Sequence, residues 1–386
     1  MLADLLGWLT GKQLFSYLSF RAAMAAFTAF ALAITLGSPA IRWLRAARVQ
    51  DNVDTSGSED LAQKSREEGK HKTPTMGGSF LIGSLLLAVL LWADLSSWGV
   101  VLGVLLTAGL AAVGFVDDYR KLTDRKSGGL SRGAKMLGLS MVTLGVLAAF
   151  VQFGQLTGNS SLLTLYPPLF KTLELDLGAY GAFGVLLFIG FQWFVIVGSS
   201  NAANITDGLD GLAVGCILIS ALALTIFCYV TGRADWTSYL NLPFIPDAGD
   251  MAVVGGAVCG ACLGFLWFNA YPAQVFMGDS GSLPLGGLLA WMAVVSKQEL
   301  VLPLIASVLI LNLLSSGLQT FWFKRTKKLY GEGRRVFTCA PLHHGLQLYG
   351  GVFTHGAPLH EVKVVVRFWI LASVAALASL ALLKVR

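Results

Sequence analysis

Asp117 and Asp118 stand side by side in GFVDDYRK (114–121), where a long apolar run ends and Arg120 and Lys121 follow. Adjacent carboxylates repel, so such a pair needs opposite charge nearby. A second acidic stretch, NAANITDGLDGLA (201–213), contains no Lys or Arg and spaces Asp207 and Asp210 three apart. On a helix that spacing puts both carboxylates on one face; a turn followed by an N-cap would use the same Asp and Gly residues. A third, NAYPAQVFMGDSGSLP (269–284), sets Asp279 among glycines just before an apolar run, where a phosphate or metal would meet free backbone N–H groups. KHKTPTMGG (70–78) supplies cations and hydroxyls, and PLHHG (341–345) supplies His343 and His344. A hard, oxygen-rich donor set suits Mg²⁺, which shares its shell with water and substrate phosphate. The chemistry implied is metal-assisted handling of a phosphorylated substrate.

The elements that must position these residues are written in the composition. The 386 residues are 55% hydrophobic and 13% charged, against roughly 25% charged in a soluble domain. Uncharged runs from Ala22 to Ile41, Thr73 to Ala93, Trp98 to Val116, Gly211 to Gly232 and Leu300 to Phe323 satisfy the ~20 apolar residues a spanning helix needs. Further spans are expected near 136–153, 179–198, 251–268, 282–296 and 364–383. Barrel strands would alternate over ~10 residues; these runs are continuous. The fold class expected is all-α, a single polytopic membrane domain of ten helices. Its first apolar segment is read as retained rather than as a cleaved signal peptide.

Ten spans put loops 1, 3, 5, 7 and 9 on one face, at about 42–72, 117–135, 199–210, 269–281 and 324–363. Loops 1, 3 and 9 hold twenty Lys and Arg, against three in the opposite loops (Lys171, Arg233 and Lys297). The positive-inside rule assigns the rich face to the cytoplasm. Every acidic or His-bearing stretch above falls on that face. Each alone has a plain reading: a solvated helix end, a turn, a flexible loop, an idle His pair. Their coincidence on one face argues for a cytosolic active site in the cytoplasmic membrane. Three unpaired carboxylates in loops 5 and 7 would then be balanced by a metal, a bound cation or the lysines of loops 1 and 3. The cysteines add little: Cys216, Cys228, Cys259 and Cys262 sit in apolar runs as packing residues, and Cys339 is read as a free thiol.

TPTMGG (73–78), GFVDDYRK, NAANITDGLDGLA, FMGDSGSLPLGG (276–287), RVF with APLHH (335–344) and VVVRFWI (364–370) together resemble the phospho-N-acetylmuramoyl-pentapeptide transferases, in order and over nearly the whole chain. The resemblance implies transfer of phospho-MurNAc-pentapeptide from UDP-MurNAc-pentapeptide to undecaprenyl phosphate. The products are lipid I and UMP, the cofactor Mg²⁺, and the assembly a homodimer in the bilayer with no nucleic-acid partner. It implies Asp279 as Mg²⁺ ligand, Asp118 as support of the metal–phosphate site, and Asp117 acting on the lipid phosphate as base or nucleophile. Asn201, Asn204, Asp207 and Asp210 would line the nucleotide-sugar pocket, with Phe276 stacked on uracil and Asn269 beside it. Lys70, Thr75, Lys121 and Lys135 would hold phosphate or sugar, and His343 and His344 would contact substrate and orient phosphate.

The sequence also departs from that pattern. Where three histidines and an acidic residue are usual, it reads His343, His344, Gly345, Leu346, Gln347, then the longer GGVFTHGAPLHE (350–361) with His355 and His360. A segment at about 51–69 adds mixed charge to loop 1 and is expected to be solvated. These changes bear on substrate choice and leave open a related transferase using another UDP-amino sugar. A cation-coupled secondary transporter is the reading from another class. It would place ionisable groups near the midplane, whereas the interiors of these spans are nearly free of charge.

Overall fold

The computed structural model describes residues 2–47, 49, 63–64, 70–123, 128–158, 160–170 and 173–385. The charged segment 51–69 of loop 1 lies outside them apart from 63–64. Each expected span coincides with a helix: α2 Leu18–Ala46, α3 Gly78–Trp92, α4 Trp98–Thr123, α5 Arg132–Thr157, α6 Gly181–Thr206, α7 Leu212–Thr231, α9 Pro246–Asn269, α10 Asp279–Val295, α12 Ser307–Tyr330 and α14 Glu361–Val385. A short helix α1 Leu2–Thr10 precedes them, and short helices α8 Ala234–Leu240, α11 Leu302–Ile305 and α13 Leu342–Tyr349 lie between them. Among the described residues the strands are one two-residue antiparallel pair, Thr164–Leu165 with Leu175–Asp176. The chain is an all-α polytopic membrane protein. By length and composition, seven of its helices can cross a bilayer.

Two helices form the centre. All 17 residues of α10 are buried, enclosed by α4, α6 and α7. A helix covered on every side needs no lipid-length apolar face, which is why one this short serves here. Helix α9 packs along α2 through Gly256 and Gly260, four apart on one face. A Cβ at these positions would lie 2.4 Å from the Ala22 carbonyl and 1.9 Å from that of Ala26. Small residues at this spacing allow the backbone approach that drives helix association in lipid. The outer faces carry exposed Phe27, Leu105, Phe183, Phe194 and Leu377, as a lipid-facing surface requires.

The expected boundaries shift in a consistent way. Helices α4, α6 and α12 run past the apolar limit to Thr123, Thr206 and Tyr330, because hydropathy marks the lipid-matched part of a helix and not its end. Asp117, Asp118, Asn201 and Asn204 therefore sit on helix turns, not in loops 3 and 5. In the opposite sense, the span expected from Thr73 begins as helix only at Gly78. Pro74 disfavours a helical residue before it, and Met76 has φ 68°. Residues 73–77, with the first residue of α3, instead form a strap: Phe276 N–H donates to the Pro74 carbonyl (2.8 Å), and Gly77 and Gly78 N–H donate to the carbonyls of Phe276 (2.9 Å) and Met277 (2.8 Å). The span expected from Leu300 is likewise broken into α11 and α12.

Candidate active site

The ends of α4, α6 and α9 and the starts of α5, α7 and α10 bring the acidic stretches together. Asp117, Asp118 and Asp279 are 2%, 3% and 7% exposed, and each offers an oxygen within 4.8 Å of the others. Lys121, one turn after Asp117, places its Nζ 2.9 Å from Asp117 Oδ2, 3.1 Å from Asp279 Oδ2 and 3.5 Å from Asp118 Oδ1. Lys135, on the first turn of α5, binds the same Asp279 Oδ2 and lies 3.7 Å from Asp117 Oδ2. The other oxygen of Asp279 accepts from Asn204 Nδ2, which also donates to Ser282 Oγ at 3.0 Å. Asp117 Oδ1 accepts the Leu130 N–H at 2.7 Å. Three carboxylates thus share two ammonium groups, leaving one net negative charge.

Backbone geometry makes this density possible. Gly278 has φ +72°, and a Cβ there would stand 2.7 Å from Asp118 Oδ2. At Gly114, one turn before Asp118, a Cβ would lie 2.2 Å from the Asp279 carbonyl. The hard-oxygen set of Asp117, Asp118 and Asp279 has the chemistry and spacing to hold a metal ion. The buried Ser280 Oγ beside it has no hydrogen-bond partner among the described residues.

A second charged knot lies in the adjoining loops. Lys70 Nζ is 2.8 Å from Asp210 Oδ1 and 2.7 Å from Glu361 Oε1. Burial opposes the Lys70 charge, yet the Asp210 and Glu361 carboxylates outweigh it and raise the pKa. Asp210 Oδ2 accepts the Ala273 N–H at 3.0 Å, and the buried Asn269 links Gly211 N–H (3.1 Å) to the Val275 carbonyl (2.9 Å). The 207–211 turn is thereby bolted to the loop that ends in Asp279. Asp207 is half-buried in this turn. Burial first, then the charges of Asp279 and Asp118, push its carboxyl up to about 8.

The His pair closes the group. The ring centroids of His343 and His344 are 4.2 Å apart. His343 is fully buried, with Nδ1 3.2 Å from Asn312 Oδ1, while Asn312 Nδ2 donates to Thr206 Oγ1 at 3.4 Å. With the amide oxygen as acceptor, Nδ1 carries the proton and Nε2 keeps its lone pair. Nε2 has no hydrogen-bond partner among the described residues, and it points at Gly208, where a Cβ would be 2.6 Å away.

Comparison with known proteins decides the family. The model of glycosyl transferase family 4 matches residues 100–297. The phospho-N-acetylmuramoyl-pentapeptide-transferase of Chlorobaculum tepidum is 42% identical over 378 residues, 98% of this chain and 96% of its own. The proteins of that name from Neisseria gonorrhoeae and Citrifermentans bemidjiense are 42% and 41% identical, over 100% and 97% of this chain and 99% and 96% of theirs. The chain belongs to the phospho-N-acetylmuramoyl-pentapeptide-transferase family.

Within this transferase, the structure gathers Asp117, Asp118, Lys121, Lys135, Asn204 and Asp279 into one cluster and Lys70 and Asp210 into its neighbour. Thr75 belongs to the strap, beside Gly278, and half-buried Phe276 pairs with that strap through its backbone. Two expected site residues turn elsewhere. Asn201 Nδ2 donates to the Val197 carbonyl of its own helix at 2.8 Å and touches Met136 Sδ, and Asn269 is spent on the loop joint. Asp207 and Asp210 lie in a turn rather than on one helix face: Gly211, at φ +77°, precedes α7, and the two carboxylates have different partners.

The departures in the His motif acquire a physical account. A Cβ at Gly345 would meet Thr338 Oγ1 at 3.1 Å and the Cys339 carbonyl at 3.2 Å, so the 338–339 segment closes on that position. Thr338 in turn holds the inserted loop, donating through its N–H to Val352 O (2.9 Å) and through Oγ1 to Gly351 O (2.7 Å). His355 and His360 stack edge-on against Tyr349 and Tyr271. Glu361 and Asn312 are the residues sequence reading missed. Glu361 reads as an acid opening a helix and Asn312 as one polar residue in a largely apolar run. The one signal available was Asn312 itself, since a polar side chain inside a span demands a partner.

Proposed function

We propose that this transferase moves phospho-MurNAc-pentapeptide from UDP-MurNAc-pentapeptide to undecaprenyl phosphate at the cytoplasmic face of the membrane, releasing UMP and forming lipid I. A lipid phosphate oxygen forms the new bond to the β-phosphorus, and the bridging oxygen leaves with UMP. The observation that carries this reading is the meeting of Asp117, Asp118 and Asp279 with Lys121 and Lys135 in a chain 42% identical, nearly end to end, to transferases of that name. A secondary transporter has no use for a carboxylate–lysine cluster at the helix ends.

The roles follow from charge. Two anionic substrates must approach, so the site has to supply cations where negative charge accumulates. Lys121 and Lys135 shuttle between Asp279 and the substrate phosphates. Asp117, held by Leu130 N–H, is aimed to take the lipid-phosphate proton or to attack phosphorus itself. Asp279, with Asp117 and Asp118 close by, would hold Mg²⁺, which would supply charge neutralisation of the pyrophosphate. Lys70, Asp207, Asp210, Thr75 and Phe276 take the nucleotide-sugar side, with His343 Nε2 turned toward the 207–211 turn as acceptor. Resemblance alone supports a homodimeric assembly.

The test is UMP release by the purified chain with undecaprenyl phosphate and Mg²⁺, offered UDP-MurNAc-pentapeptide or UDP-GlcNAc. Release with the muropeptide precursor, lost in Asp279→Asn, is the expected result. Release with the simpler sugar alone would mean that Gly345, Gln347 and the inserted loop mark a changed substrate. Release with neither overturns the proposal.

A further inference from the structure

Glu361 opens α14 and is 1% exposed, yet its carboxylate is turned into the site loops. Oε1 accepts from Lys70 Nζ at 2.7 Å and from the Asp210 N–H at 2.6 Å. Oε2 accepts from Lys70 Nζ at 2.7 Å and from Gln347 Nε2 at 3.4 Å. Four segments therefore meet on one side chain: the residues leading into the 73–78 strap, the 207–211 turn, the His-bearing α13 and α14 itself. Through Asp210 Oδ2 and the Ala273 N–H the joint extends to the loop before Asp279.

An acid in the first turn of a helix commonly serves the helix dipole. That role needs no lysine and no burial. A buried carboxylate is costly to desolvate unless paired, so the pairing with Lys70 and the Asp210 backbone is what retains it. Lys70 Nζ donates to Asp210 Oδ1 and to both oxygens of Glu361. Lys70 is consequently fixed in place.

We propose that Glu361 is a positioning residue of the transferase, acting through Lys70 and the 207–211 turn to hold the nucleotide side of the site in register with Asp279. The inference rests on the function proposed above. Glu361 touches neither Asp117, Asp118 nor Asp279, so its loss should weaken ground-state and transition-state binding alike. That signature is a raised KM with kcat nearly unchanged.

The experiment compares Glu361→Gln, Lys70→Met and the double variant in UMP release, with UMP as competing product. Glu361→Gln should raise the KM for UDP-MurNAc-pentapeptide and the inhibition constant of UMP about tenfold, with kcat within about threefold. The double variant should be no worse than Lys70→Met, because both act through one joint. An unchanged KM, a loss confined to kcat, or additive effects would overturn the proposal. Should Glu361→Gln lose its thermal transition in detergent, Gln347→Leu carries the test: it removes the neighbour that orients Oε2 and should raise the same KM about threefold, an unchanged value overturning it. A wild-type chain inactive on the precursor would sink the functional reading instead, and UMP binding by calorimetry would still decide the role of Glu361.

Discussion

The carboxylate of Asp118, near the end of α4, caps the N-terminus of α10 by accepting the backbone N–H of Asp279 at 3.2 Å and of Ser280 at 2.9 Å. One acid thus fixes the backbone that carries the other. The adjacent Asp117 and Asp118 divide their work accordingly: Asp118 is committed to α10, while Asp117 faces the lysines.

Asp118→Ala leaves two N–H groups of α10 uncapped, whereas Asp118→Asn keeps the shape and one good acceptor. Loss of such a cap costs about 1–2 kcal/mol. We expect Asp118→Ala to lower the unfolding temperature in detergent and to cut UMP release by two orders of magnitude or so. Asp118→Asn should retain most of the stability and lose mainly activity. Equal melting temperatures for wild type and Asp118→Ala would show that the cap carries no weight.

Lys121 and Lys135 converge on Asp279 Oδ2 and so compete with any divalent ion for that oxygen. Removing one unit charge about 4 Å away changes the binding of a cation by roughly 1–4 kcal/mol, depending on the local dielectric. Lys135→Met should therefore lower the Mg²⁺ concentration for half-maximal activity about tenfold, while turnover falls because substrate phosphate loses a partner. Titration of UMP release against Mg²⁺ checks both. A higher Mg²⁺ requirement in Lys135→Met would contradict the competition.

His343 and His344 give the fold a pH dependence. Burial, then the neighbouring His344, holds His343 well below the ordinary histidine range; burial, with the charges of Lys70 and Lys64 adding to it, pushes His344 down to about 4. The unfolded chain binds these protons from about pH 6.5 downward, so native stability falls as pH drops from there toward 4. For one histidine the slope is up to about 1.4 kcal/mol per pH unit. Melting temperatures at pH 7.5 and 5 should differ clearly in wild type and less in His344→Gln. Equal differences in the two proteins would show that His344 is not held neutral by its surroundings.

How much of this was written in the sequence depends on the range of the interaction. Spans follow from uninterrupted apolar runs, and the shared face of DDYRK, TDGLDG and GDSGS follows from counting those runs. The pairing of Lys121 with Asp117 is an i, i+4 contact that spacing alone suggests. What could not be read were contacts across long separations: Glu361 with Lys70, Asn312 with His343, the strap of 73–78 against Phe276. Helix ends were misplaced for a related reason. The turns of α4 and α6 that carry Asp117 and Asn204 are polar because they face the site, and polarity there reads as a loop.

Gly208 offers the sharpest test of the arrangement around the His pair. It sits between Asp207 and the buried 209–212 segment, exposed on one side, with His343 Nε2 and His344 Nε2 against the other. A Cβ would meet those nitrogens at 2.6 Å and 2.9 Å, closer than packed atoms tolerate, so Gly208→Ala must displace the two imidazole rings from the turn. The residue is not in the core, and the global fold should survive with a loss near 1 kcal/mol. Activity should fall at least about tenfold, because the lone pair of His343 Nε2 no longer faces the turn that presents Asp207. Removing the His344 ring frees space into which the His343 ring can yield to the methyl group, so Gly208→Ala combined with His344→Ala should lose less than the two changes separately. Strict additivity would mean that the turn and the His pair act independently, and that their contact is packing without consequence for the reaction.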